Sequence, residues 1–217
     1  MSTGTAVSSS GIDSAVDTVV LRYFVFVNRA DLLIIVLGRP IGVPRTVFDP
    51  DEEPGTPEEA MSEIPRSIIV QTRRSQDMTR DAVARAVAKR NAERLATIRE
   101  LHSEGSIEIL DMTTDERRVF SMLTSAAEMH RVGLRMPLGG GEAACVATAV
   151  TRGYVLATDD DDALRGQTNL APSLRRARIR SLLRDLAGRG VISDRDANAL
   201  HQEMHDLGFW DTEAPFP

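Results

Sequence analysis

Four short apolar runs divide the chain, each beside turn-forming residues, and stretches with helical spacing lie between them. Residues 14–21 (SAVDTVVL) are rich in β-branched side chains, and residues 41–47, 106–110 (SIEIL) and 154–158 (YVLAT) are compact apolar segments. All four read as strands. Residues 78–102 place Val83, Ala86, Val87, Leu95, Ile98 and Leu101 at helical spacing, with most arginines elsewhere on that surface. Thr113 with Glu116 three residues on forms a capping box that opens a helix, and Gly133 is expected to close it. Residues 140–152 read as a short Ala-rich helix leading into YVLAT.

The last third is expected to be helical. One helix covers residues 174–186, carries Ile179, Leu182, Leu183 and Leu186, and stops at Gly188-Arg189-Gly190. A second starts at Ser193 with Asp196, carries Ala197, Leu200, Met204 and Leu207, and ends at Gly208. Residues 49–65 (DPDEEPGTPEEAMSEIP) read as a loop, because prolines and like charges oppose regular structure. Strands alternating with helices predict an α/β fold: a three-layer α/β/α sandwich with a mostly parallel central sheet. The expected organisation is a flexible tail over 1–13, a core over 14–170 with an acidic loop and helical insertion at about 50–105, and a helical extension over 171–217 packed on that core.

Composition narrows the function classes. A hydrophobic fraction of 42% and a charged fraction of 27% over 217 residues describe a folded, water-exposed protein. The longest clean apolar run, residues 32–38, is far short of the about 20 residues that span a bilayer, so no membrane segment is expected. The first 14 residues lack Lys and Arg, so no secretory signal is expected. A single cysteine, Cys145, excludes an intrachain disulfide, fits a cytoplasmic location and reads as core filling. The net charge of −6 argues against a passive nucleic-acid coat, which would be basic. Lys89 is the only lysine, so the positive charge is almost all arginine.

In an open parallel sheet, ligands collect beyond the carboxyl ends of the strands. Asp17 lies at or near the exit of the first strand, and Asp159-Asp160-Asp161-Asp162 follows YVLAT directly. Glu142 lies in the first turn of the preceding helix, and the acidic loop from Asp49 follows the second strand. Each acid has an ordinary structural explanation as a helix cap or solvated turn. Together at one edge they would repel one another unless neutralised, and oxygen ligands suit Mg²⁺ or Mn²⁺. Other motifs fail. Gly139-Gly140-Gly141 lacks the Gly-Lys-[Ser/Thr] of a P-loop, and Gln202 stands where a zinc-protease helix of the form His201…His205 needs Glu.

The stretches AVDTVVLRYF, LLIIVLGRPIGVPRTVFDPDE and LGGGEAACVATAVTRGYVLATDDDDALR resemble the successive motifs of PIN-domain nucleases. LLRDLAGRGVISDRDANALHQEMHDLGFWD is similar to the C-terminal helices of one PIN-like branch. The resemblance covers roughly residues 14–52 and 106–210. It implies a metal-dependent endoribonuclease, with Asp17, Glu142 and Asp159 as metal-binding acids and Asp160 as the alternative to Asp159. The second acid would be Asp49, Asp51 or Glu52, with Glu52 preferred. Arg175, Arg176, Arg178, Arg180 and Arg184 form the densest basic cluster and are candidates for RNA phosphates. Family members are often toxins of bacterial toxin–antitoxin pairs, which makes a small antitoxin-like inhibitor a candidate partner, and the resemblance leaves room for a homo-oligomer. Val19 stands where the family usually has Asn. That departure motivates the alternative of a catalytically inactive PIN-like module binding RNA or a protein.

Overall fold

The computed structural model describes residues 11–53, 56–78 and 81–217. Most of the 1–13 tail therefore lies outside the described residues, although Ile12 is already part of the core. Five parallel strands, β1 (Ser14–Val16), β2 (Ile41–Pro44), β3 (Ile107–Leu110), β4 (Val155–Ala157) and β5 (Arg176–Ala177), form one sheet in the order β3-β2-β1-β4-β5. Every pairing is parallel. Helices flank it as the third layer requires: α1 (Thr18–Phe26), α2 (Ala30–Leu37), α3 (Glu63–Met78), α4 (Asp81–Ser103), α5 (Thr114–Thr124), α6 (Gly140–Arg152), α7 (Asp161–Leu170), α8 (Ile179–Gly188) and α9 (Asp194–Asp206). The three-layer α/β/α sandwich is the architecture the alternation predicts.

Residues of β1 and β2 are all buried, as expected for a parallel sheet covered on both faces. Helix α6 packs on β1, β2 and β4 and is flanked by α5 and α7. Its run from Ala143 to Ala149 is wholly buried, so only small side chains permit so many close neighbours. Gly42 in β2 is needed for a similar reason: a Cβ there would collide with the Ser14 carbonyl, Leu110 and Ile12. Among the described residues no helix is long and apolar enough to cross a membrane.

Several local expectations are corrected. The 14–21 strand ends at Val16, because Asp17 accepts from the Thr18 amide and caps α1, and the following apolar residues bury helically. The 49–65 loop ends early: a 3-10 turn covers Glu58–Ala60, and α3 begins at Glu63. Pro65 sits in its first turn, where no amide is required. The Thr113–Glu116 capping box is present, but α5 stops at Thr124 and a separate 3-10 turn, Met129–Val132, precedes Gly133. Val83, read as core-facing, is 51% exposed, whereas Ile98 in the same helix is buried. Arg176 and Ala177, expected to be helical, form edge strand β5, and α8 begins only at Ile179.

Candidate functional site

The strand order places a topological switch between β1 and β4. The chain steps outward from β1 through β2 to β3, then returns to the other side of β1 for β4 and β5. Helices α1 and α7 leave β1 and β4 from this point, and such a switch is where open parallel sheets ordinarily form a ligand crevice at the carboxyl ends of the strands. Asp17 is the first residue after β1, and Thr158, Asp159 and Asp160 are the first after β4.

Asp17 is only 1% exposed. Its Oδ1 accepts from the Thr18 amide at 2.7 Å and its Oδ2 from the Thr158 hydroxyl at 2.7 Å. Burial pushes its pKa up to about 7, and the carboxylates of Glu63 and Glu142 add to the rise against the hydrogen bonds. Glu63, at the start of α3, belongs to the same set. The Thr18 hydroxyl donates to its Oε2 at 2.6 Å, and the Gly141 amide donates to its Oε1 at 2.7 Å. Thr158, Asp17, Thr18, Glu63 and Gly141 thus form one hydrogen-bonded chain across four elements. Glu142, one residue into α6 from that amide, also has a raised pKa, through burial first and then through Asp160 and Glu63.

The four consecutive aspartates fan out. Asp159 turns into the protein and accepts from the Ile179 amide at 3.0 Å, capping α8. Burial raises its pKa to about 6, and the principal charges acting on it are Arg178, Asp211 and Arg180 rather than Asp17 or Glu142. Asp160 accepts from the Ala163 amide at 2.7 Å, capping α7, and its charge acts on Glu142. Asp161 pairs with Arg178, and Asp162 pairs with Arg165. The family register that chooses Asp159 is thus less well served by the geometry than the alternative, Asp160.

The expected second acid is displaced in the same way. Glu52 accepts from the Ser62 amide at 3.0 Å and the Ser62 hydroxyl at 2.8 Å. Asp49 and Asp51 are held by Arg45 at 2.6 and 3.2 Å, and Arg45 also binds Asp111 at 2.7 Å. The structure brings none of the three to Asp17, whereas Glu63 stands beside Thr18. Glu63 escapes a reading of the sequence because it ends an acidic, proline-containing stretch. The available signal was Ser62-Glu63-Ile64-Pro65 followed by an apolar-periodic segment. A hollow of about 380 Å³ opens beside Glu63 and Gly141, between Pro44, Arg45, Met61 and Leu110.

The donor set is all oxygen, which suits hard divalent cations. As the side chains stand, however, no three His, Cys, Asp or Glu among the described residues are grouped so that they could hold a metal ion. Asp17, Glu63, Asp159 and Asp160 each accept from protein donors instead. No family model matches the chain, and no match is found among curated proteins or solved structures. Cys145 is buried beside this set, its thiol pushed well up by burial and then by Asp17, Glu63 and Glu142. It is inert core filling. Val19 packs against the core and offers no polar atom. Arg176, Arg178, Arg180 and Arg184 line a separate hollow, while Arg175 is exposed outside its lining.

Proposed function

We propose that this protein is a divalent-metal-dependent endoribonuclease of the PIN-like type, acting at the crevice between β1 and β4. The observation that carries the reading is Asp17: an acid buried at the topological switch, pushed up to about 7 with Glu63 and Glu142 among the causes. Among the described residues its hydrogen-bonding neighbours are a hydroxyl and an amide, neither of which brings a positive charge against the repulsion within the set. Perturbed carboxylates facing one another in a cleft are candidates for chemistry.

Asp17, Glu63 and Glu142, with Asp160 at the rim, are the residues that would hold Mg²⁺ or Mn²⁺. Such an ion supplies positive charge and Lewis acidity to a phosphodiester and its attacking water. The chain's own work is positioning. Thr158 fixes the outer oxygen of Asp17, and Thr18 and the Gly141 amide fix Glu63. Because the acids are held by hydrogen bonds rather than grouped around a vacancy, cation binding requires side-chain rotation and displacement of the proton on Asp17. Affinity should therefore rise with pH through neutrality.

The inactive-module alternative has its own support: among the described residues no three acids stand ready to share an ion, and Val19 contributes no polar atom. Two measurements separate the readings. Calorimetric titration with Mn²⁺ at pH 8 should show binding that Asp17→Asn and Glu63→Gln abolish. Cleavage of a labelled single-stranded RNA should require Mn²⁺ or Mg²⁺ and be lost in the same variants, each shown to be folded. Binding of neither cation, together with no cleavage, would leave the non-catalytic module.

A further inference from the structure

The segment joining β5 to α8 converts an alternating sequence into a one-sided array of positive charge. Ala177 and Ile179 are buried, so their neighbours Arg176, Arg178 and Arg180 are directed away from the core. Arg184 lies one helical turn beyond Arg180 on the same face of α8. Together with Leu164 of α7 and Ser181, these four arginines line a hollow of about 490 Å³.

Acids and carbonyls of the same chain already answer this charge. The segment after α9 runs back along α8 and contacts two of these arginines, Arg180 and Arg184. Its backbone is anchored where Asn198 both donates to the Phe216 carbonyl at 3.1 Å and accepts from the Phe216 amide at 3.0 Å, with Pro215 buried alongside. Upstream of that anchor, Glu213 pairs with Arg180, Asp211 lies 3.9 Å from the same guanidinium, and the Pro215 carbonyl accepts from Arg184 at 2.5 Å. Glu213 is 75% exposed, so its pair is a surface ion pair that contributes little to stability and is readily exchanged.

We propose that the arginine hollow is a binding site for the phosphate backbone of single-stranded RNA, and that Asp211 and Glu213, by pairing with Arg180 at its border, act as an internal counter-anion that the RNA displaces. The planar guanidinium fork matches phosphate oxygens two at a time. Asp159, Asp160 and Asp161 connect the hollow to the crevice: Asp161 pairs with Arg178, and the charge of Asp160 acts on Glu142. The turn that carries these aspartates is therefore shared by the arginine hollow and the acid set. Trp210, the only tryptophan, is 54% exposed immediately before the acidic pair and offers a face for base stacking. The choice of RNA rests on the nuclease reading above, whereas the displacement of the acidic segment does not depend on cleavage.

The test is fluorescence anisotropy of a labelled oligouridine of about ten nucleotides, a length within the span of single-strand sites, in EDTA so that nothing is cut. Asp211→Asn with Glu213→Gln should tighten binding by about twofold to fivefold, the range that losing one competing surface ion pair corresponds to. Arg180→Gln and Arg184→Gln should weaken it, and each lost phosphate contact should flatten the logarithmic salt dependence by about 0.7. In an Arg180→Gln background the two tail substitutions should have no further effect. Trp210 emission should change on binding. Equal affinity in the wild type and the tail variant overturns the displacement. Wild-type affinity in both arginine variants overturns the site, and so does saturation of the hollow by millimolar inorganic phosphate without RNA binding. RNA binding as described without Mn²⁺-dependent cleavage retains the site and removes the nuclease reading. Cleavage unaffected by every hollow variant does the reverse.

Discussion

The Thr158 hydroxyl donates to Asp17 Oδ2 at 2.7 Å, tying the ends of β1 and β4 together across 141 positions of sequence. The same oxygen of Thr158 accepts from the Asp160 amide at 3.1 Å. One hydroxyl therefore sets the outer oxygen of the buried acid and the start of the turn that carries Asp160. This side chain adds to the bond from the Asp17 amide to the Ala157 carbonyl at 3.0 Å, so the placement of Asp17 beside Asp160 is a property of the paired strand ends.

Asp17 gives the fold a pH dependence of unusual sign for an acid. Its folded-state pKa of about 7 is above the ordinary 3.8, so the folded protein holds this proton more tightly than the unfolded chain. The stability it favours is fully present below about pH 4 and is lost as pH rises through 7. At about 1.4 kcal/mol per unit, the loss is at most roughly 4 kcal/mol. In EDTA, Asp17→Asn should therefore be more stable than the wild type in urea unfolding at pH 8, and the difference should vanish towards pH 4. A destabilised Asp17→Asn at pH 8 would show that the ionised carboxylate is well solvated by its donors.

Glu63 and Glu52 should behave differently although both arise from one acidic stretch. Glu63→Gln removes a like charge beside Asp17 and should lower the pKa of Asp17, measurable by NMR titration, while abolishing Mn²⁺ binding. Glu52→Gln disturbs only the contacts to Ser62 and should cost less than about 1 kcal/mol, with cation affinity unchanged. The reverse pattern would return the second-acid role to Glu52.

Gly141→Ala tests how Glu63 is held. A Cβ at this position would overlap the Glu63 carboxylate, which must then leave the Gly141 amide and the Thr18 hydroxyl. Loss of hydrogen bonds to a charged group should cost about 1–3 kcal/mol, and any RNA cleavage should fall with it. Gly140→Ala, where a Cβ meets open space, is the control and should leave both unchanged.

Four of the five strands, the Ala-rich helix and the Thr113–Glu116 capping box were legible in the sequence because each has a local signature: period, cap and stop. Asp17 was legible as a strand-end acid, but not as the helix cap that ends the strand, since Val19 and Val20 favour β structure, and it is the packing of α1, with Val20 buried and Val19 half-buried, that makes them helical. The direction of each aspartate in the 159–162 run could not be read, because it is decided by the Ile179 amide, the Ala163 amide, Arg178 and Arg165, the first and third of which come from elsewhere in the chain. Glu63 was hidden for the same reason: its partners Thr18 and Gly141 lie 45 and 78 positions away.

Away from the crevice, Glu116 is fully buried and takes two hydrogen bonds from Arg152, at 2.6 and 3.1 Å, besides closing the capping box through the Thr113 amide. Burial pushes its pKa up, but Arg152 and Thr113 outweigh it and hold the carboxyl below its ordinary 4.5. The stability this group contributes is present above pH 4.5 and is lost as pH falls through the depressed value. Glu116→Ala leaves Arg152 without its partner and should cost about 3–5 kcal/mol. Replacing both residues, Glu116→Leu with Arg152→Met, should recover a large part of that, because a packed apolar pair leaves no buried charge unpaired. A double variant no more stable than Glu116→Ala would mean that the pair is needed chiefly for the cap and for the Asp111 carbonyl that Arg152 also binds at 2.8 Å.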